Sequence, residues 1–219
     1  MTMHPITHHL TDELLMFYAA GSLPEAFALV AASHISLCDE CRARLGAYEA
    51  LGGAVLDEAP ADMADDALER GLSACLSRLD RPAPAPQRPA MRQGPLPGPL
   101  AAWVGGGLEA VRWTPLGMGV RQAILPTSRS ASARLLHIPA GVAVPDHGHR
   151  GTELTLVLQG AFRDETARFG PGDLEVAGQE LEHQPVAEAG VDCICLAATD
   201  APLRFNAILP RLLQPLFRI

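Results

Sequence analysis

Residues 82–99 read PAPAPQRPAMRQGPLPGP, and seven of them are proline. Proline locks φ and lacks a backbone N–H, so such a run is extended and solvated and cannot continue a helix or a central strand. It carries no periodic apolar face. It therefore divides the 219-residue chain into residues 1–80 and 100–219, with 81–99 as a linker. Apolar periodicity changes across it, from helical before to a period of two after.

Before the linker the signals are those of short helices. Thr11 is a candidate cap for a helix carrying Leu14, Leu15 and Tyr18, which Gly21 ends. Ser22 and Glu25 have capping-box spacing, with Pro24 in the first turn and Phe27, Leu29 and Val30 following. A third helix is expected to start near Cys38, favoured by Asp39 and Glu40 at its N-terminus, and to stop at Gly52-Gly53. Leu68, Leu72, Leu76 and Leu79 form the stripe of a fourth, on which Cys75 is expected to be a core residue. About 80 residues is marginal for an independent core, so a structural metal or a partner would help.

Charge narrows the function classes. Residues 1–80 hold thirteen acids against four arginines, and the chain contains no lysine. An acidic surface repels nucleic acid and suits a basic protein partner, so direct nucleic-acid binding is not expected. No run of 18 apolar residues is present, and the N-terminus lacks the basic start and apolar stretch of a signal peptide. A cytoplasmic protein is the expectation. Five cysteines, an odd number without a secretion signal, point to metal ligation or burial rather than a disulfide framework.

After the linker, strands are expected at 120–125, 133–138, 153–158, 173–176 and 192–197, punctuated by Gly, Pro, Asp and Asn. This is the pattern of an antiparallel sandwich or barrel. The apolar tail 207–217 is expected to pack on the sheet as a short helix or strand. Cys193 and Cys195 lie in an apolar strand and read as buried small side chains. His137 has no ligand spacing and reads as a satisfied core or surface histidine.

Two constellations carry metal chemistry. His34, Cys38 and Cys41 stand at H-x3-C-x2-C spacing, so they share one helix face or converge across a turn placed before Cys38. Zinc takes four N and S ligands in a closed tetrahedron, and His4, His8 or His9 can supply the fourth from upstream. In the second half, His147 and His149 flank Gly148 and point the same way on an extended chain, with Glu153 at the start of the next strand. Gly141 and Gly160 frame the three.

The second run, Gly141-VAVPD-His147-Gly-His149-RGT-Glu153-LTLVLQ-Gly160, resembles the first cupin motif at every position. The resemblance implies a β-barrel and a fourth ligand from a second motif. Gly170-Pro171-Gly172-Asp173 looks like that motif's turn, and His183 is the expected ligand. It departs from the usual pattern by standing eleven residues after Gly172, with the usual Asn absent. His9, His34, Cys38 and Cys41 resemble the ligand set of the zinc-binding anti-sigma domains, in which a distant His precedes H-x3-C-x2-C. His9 is preferred over His8 because it directly precedes the entry to the first helix.

Taken together, HISLCDECRAR at 34–44, VPDHGHRGTELTLVLQGAFRDET at 144–166 and CICLAATDAPLRFN at 193–206 resemble the ChrR anti-sigma factors over the whole chain. The resemblance implies a multi-domain protein, an N-terminal all-α zinc anti-sigma bundle followed by an all-β cupin barrel. It implies zinc in the first site, zinc or another divalent transition metal in the second, and no enzymatic activity. The implied partner is an extracytoplasmic-function sigma factor, released when singlet oxygen or related oxidants act on the cupin. The alternative reading is a cupin metalloenzyme, a dioxygenase or isomerase, with an accessory zinc domain.

Overall fold

A computed structural model describes residues 5–58, 65–79, 94–202 and 204–205. His4, most of the expected linker and the expected element at 207–217 lie outside the described residues. The described parts of 1–49 and 92–219 form one compact unit, and those of 50–91 a second.

Among the described residues five α-helices come first: α1 (Asp12–Ala19), α2 (Glu25–Ile35), α3 (Asp39–Glu58), α4 (Asp65–Leu79) and α5 (Gly98–Val104). Thr11 caps α1, its Oγ1 accepting from the Leu14 N–H at 3.2 Å, and Gly21 follows the helix with a positive φ of 65°. The expected capping box of α2 does not form. Ser22 donates back to the Phe17 carbonyl instead, and the Glu25 carboxylate accepts from the Ser128 N–H at 2.6 Å. A cap is worth about 1 kcal/mol, and the tertiary contact outbids it. Helix α3 also runs past Gly52-Gly53 to Glu58. A helical glycine costs only about 1 kcal/mol relative to alanine, which weakens a helix without ending it. Gly98 and Pro99 open α5, where a residue without an N–H is tolerated.

The strands are β1 (Thr114–Gly117), β2 (Val120–Leu125), β3 (Ser132–Ile138), β4 (His147–Gly148), β5 (Glu153–Gln159), β6 (Phe162–Arg163), β7 (Arg168–Phe169), β8 (Leu174–Ala177), β9 (Glu182–His183), β10 (Val186–Ala187), β11 (Cys193–Thr199) and β12 (Arg204–Phe205). Each of the five strands expected from sequence is present, shifted by at most two residues at its ends. They form a six-stranded antiparallel sheet in the order β1-β2-β3-β11-β5-β8 and two three-stranded sheets, β10-β6-β7 and β12-β4-β9. The expected barrel is thus a cupin sandwich of three sheets among the described residues.

The large sheet is apolar on both faces, and the two faces have different partners. Leu154, Leu156, Leu135, Leu196 and Ala198 pack with Phe27, Val30 and Ala31 of α2 and with Leu100 of α5. Val157, Cys193, Cys195 and Ile138 face the interior and pack on Phe162 and Phe169. This alternation follows from the two-residue period of a strand. Full burial of one such leucine or valine stabilises by about 1.5–3 kcal/mol. Helix α2 therefore shares its hydrophobic core with the sheet, and Cys38 and Cys41 of the first metal constellation are buried in the same core.

Helix α4 is different. Leu68, Leu72, Leu76 and Leu79 are 60%, 60%, 52% and 78% exposed, so the stripe is an open apolar surface. Cys75, expected in a core, is exposed with it. The stripe pattern is right; what it lacks is a buried partner surface among the described residues.

Candidate metal centres

His9, His34, Cys38 and Cys41 come together, with one ligand atom from each all within 4.8 Å of one another. A turn after α2, in which the Leu37 and Cys38 N–H groups both donate to the His34 carbonyl, redirects the chain so that Cys38 stands immediately before α3. Cys38 Sγ accepts from the Cys41 N–H at 3.4 Å, in the manner of a helix cap.

The histidine rings are aimed by partners on their far sides. His34 Nδ1 donates to the Gly172 carbonyl at 2.9 Å, which leaves Nε2 facing Cys41 Sγ at 3.3 Å. His9 Nε2 lies 3.3 Å from the Glu40 carboxylate, while Nδ1 faces Cys38 Sγ at 3.3 Å and Cys41 Sγ at 3.8 Å. His8 points elsewhere: its ring packs at a tilt against Phe169 and sits beside Asp173. Burial holds His34 down to about 4 and pushes the Cys41 thiol up to about 11. Two thiols and two imidazoles, three of the four residues buried, are the donor chemistry of a closed tetrahedral zinc site. The residues fit a metal.

The second centre lies in the cupin. His147 and His183 stand opposite each other in the β4–β9 pair, and His149 joins them, with ligand atoms again within 4.8 Å. His147 Nδ1 donates to the Pro145 carbonyl at 2.9 Å. His149 Nε2 is 3.3 Å from His183 Nε2. His149 Nδ1 is buried with no hydrogen-bond partner among the described residues. Burial lowers the pKa of both His147 and His149, so both are neutral and ready to donate lone pairs. Three converging imidazole edges, one with an unsatisfied nitrogen, fit a divalent transition metal.

Glu153 stands at the rim of this triad rather than within it. Its Oε2 is 3.9 Å from His149 Nδ1, and its Oε1 accepts from Thr155 Oγ1 at 3.2 Å. Two carboxylates absent from the sequence reading, Asp164 and Glu175, do reach the site. Asp164 Oδ2 accepts from His183 Nδ1 at 2.7 Å, and Glu175 Oε1 lies 3.2 Å from the same nitrogen. Burial opposes charge on His183, but the two acids outweigh it and raise the imidazole to about 9. Burial pushes the Glu175 carboxyl up to about 7. Neither acid has motif spacing to His183. The only signal available was parity in β8, which places Glu175 on the inward face.

The remaining candidates fall into structural roles. His137 lies 3.2 Å from Asp192 and packs edge-on to Trp113. Cys193 and Cys195 are buried, free thiols with sulfurs 3.5 Å apart.

A cupin sandwich with a histidine triad, bearing helices that gather two histidines and two cysteines, defines a cupin protein with two clusters that could hold metal ions. Residues 105–201 match the family described as the ChrR cupin-like domain. Over 216 residues, 98% of this chain and 99% of the relative, the sequence is 64% identical to the anti-sigma-E factor ChrR of Cereibacter sphaeroides. The crystal structure of Rhodobacter sphaeroides SigE in complex with the anti-sigma ChrR is similar at 61% identity and a TM-score of 0.75, over 89% of this chain and 99% of that one. The chain belongs to the ChrR family of anti-sigma factors. Among the described residues no helix is long and apolar enough to cross a membrane.

Proposed function

We propose that this protein is a cytoplasmic anti-sigma factor that sequesters an extracytoplasmic-function sigma factor from RNA polymerase and releases it in response to singlet oxygen or related oxidants. The observation that carries this reading is the 64% identity, over nearly the whole of both chains, to a protein named as an anti-sigma factor. It favours a regulator over a cupin enzyme. The open leucine stripe of α4 supports it, because an exposed apolar helix face in an acidic segment suits a protein partner with apolar and basic surface.

In this reading zinc is held by His9, His34, Cys38 and Cys41. Zinc or another divalent transition metal is held by His147, His149, Glu153 and His183, with Glu153 closing in from the rim. The first metal ties the N-terminal arm to the start of α3, and the second makes the cupin responsive to its chemical environment. Residues 1–80 grip the sigma factor, 81–99 link, and 100–219 sense. Helix α2 shares its core with the sheet, so the test uses the full chain. Purified protein should inhibit transcription by polymerase carrying the cognate sigma factor. Cys38→Ser with Cys41→Ser should remove one metal equivalent and the inhibition together. Full inhibition by the metal-depleted variant would overturn the reading of the first site, and small-molecule turnover by the cupin would favour the enzyme.

A further inference from the structure

We propose that the turn before β8, Gly172-Asp173, is a working part of the N-terminal metal centre: it positions His34 and the arm that carries His9. This rests on the reading of His9, His34, Cys38 and Cys41 as metal ligands. The two residues belong to the cupin and are more than 130 positions from any of those four.

Most of the contacts run between the turn and the arm or the ligand. The Gly172 carbonyl accepts from His34 Nδ1 at 2.9 Å. That bond fixes the tautomer and the ring plane of a histidine whose other nitrogen faces Cys41. Asp173, 2% exposed, accepts at one oxygen from the Thr7 N–H at 2.7 Å, the His8 N–H at 2.9 Å and the Thr7 hydroxyl at 3.3 Å. Its other oxygen accepts from the Gly170 N–H at 2.9 Å. The Leu174 N–H then donates to the His8 carbonyl at 3.2 Å. Residues 7 and 8 are thus held on both sides, and His9 leaves the clamp already directed at the thiols.

Gly172 suits this place for two independent reasons. Its φ is +92°, and a Cβ there would come within 2.6 Å of the Ile6 side chain. A buried carboxylate is costly unless its oxygens are satisfied, and most of the donors that satisfy Asp173 come from the arm. A carboxylate serving only its own turn would need Gly170 alone. The same strand carries Glu175, 3.2 Å from His183, so β8 touches both centres. The turn gives the cupin a mechanical hold on the first site.

The test follows zinc transfer from the full-length, metal-loaded protein to a chromophoric chelator, with alkylation of Cys38 and Cys41 read by mass spectrometry to identify the site. Asp173→Ala should release zinc from the thiol site roughly 10–100-fold faster than wild type, the range for loss of a group that supports a metal ligand. The cupin metal should leave at the wild-type rate. Asp173→Asn keeps an acceptor for Thr7 and His8 and should lie between the two. It also serves if Asp173→Ala fails to fold. As a readout independent of zinc, the slowly exchanging His34 Nδ1–H proton resonance should be lost or exchange-broadened in Asp173→Ala. Wild-type zinc release and thiol protection in both variants would overturn the inference and leave the metal site standing. Zinc that does not leave with Cys38 and Cys41 in the wild-type protein would overturn both.

Discussion

His183 donates its Nδ1–H to the Asp164 carboxylate in a hydrogen bond, and Glu175, 3.2 Å from the same nitrogen, is left without it. The nearer carboxylate takes the single N–H at 2.7 Å, which commits Nε2 to the side shared with His147 and His149. This is the carboxylate–histidine arrangement that orients a metal ligand and raises its basicity. Asp164→Ala should therefore weaken metal binding at the cupin centre by about 10–100-fold and leave the thiol centre at wild-type affinity. Competition with a chelator of known affinity measures both, and equal affinity in the variant would refute the role.

The thiol centre should bind metal more tightly as pH rises. Burial holds the Cys41 thiol up at about 11, so at neutral pH it carries a proton that an incoming metal must displace. Each proton so displaced makes the apparent affinity rise about tenfold per pH unit. His34 adds no slope, because burial holds it at about 4 and it is already neutral above about pH 5. Chelator competition between pH 6.5 and 8.5 reads the slope. A flat profile would mean that the thiols are already ionised without metal.

Two leucines should separate folding from recognition. Leu196→Ala, at a fully buried position where β11 meets α2, should cost about 2–5 kcal/mol in chemical denaturation. Leu72→Asp, on the open stripe of α4, should change stability by no more than about 0.5 kcal/mol. The same substitution should abolish inhibition of the sigma factor, since it puts a charge in the middle of an apolar contact. Retained inhibition would move the grip elsewhere.

Release should depend on the cupin centre. Glu153→Ala and His147→Ala alter the second site without touching the first, so both variants should bind the sigma factor as tightly as wild type. Only a signal that changes the relative stability of the free and bound states can shift the equilibrium. In cells under light and a photosensitiser, a sigma-dependent reporter should stay low with either variant. A wild-type response from both would make the cupin metal irrelevant to sensing.

Much of the fold was legible because it is written in local periodicity. The strands at 120–125 and 153–158 declared themselves by alternation and flanking turn residues, and Thr11 by its place before an apolar helix face. The errors have a common cause. Ser22 and Glu25 had the spacing of a capping box, but Glu25 found Ser128 across the fold. Gly52-Gly53 looked like a stop, but glycine ends a helix only where the chain needs a left-handed residue, and here it does not. Cys75 looked like core because its stripe is apolar, and periodicity says which face is apolar without saying what covers it.

The sequence by itself determined the ligand types and their close spacing. H-x3-C-x2-C and H-x-H bring their residues together within a turn or a strand, where backbone geometry alone decides which side chains are neighbours. The tertiary structure decided everything that joins distant segments. It set His9 rather than His8 against the thiols, brought Asp164 and Glu175 to His183, and laid the Gly172 carbonyl against His34 from 138 positions away. Those pairings depend on how helices and sheets bury their apolar faces against each other, and no local pattern encodes the register of that packing.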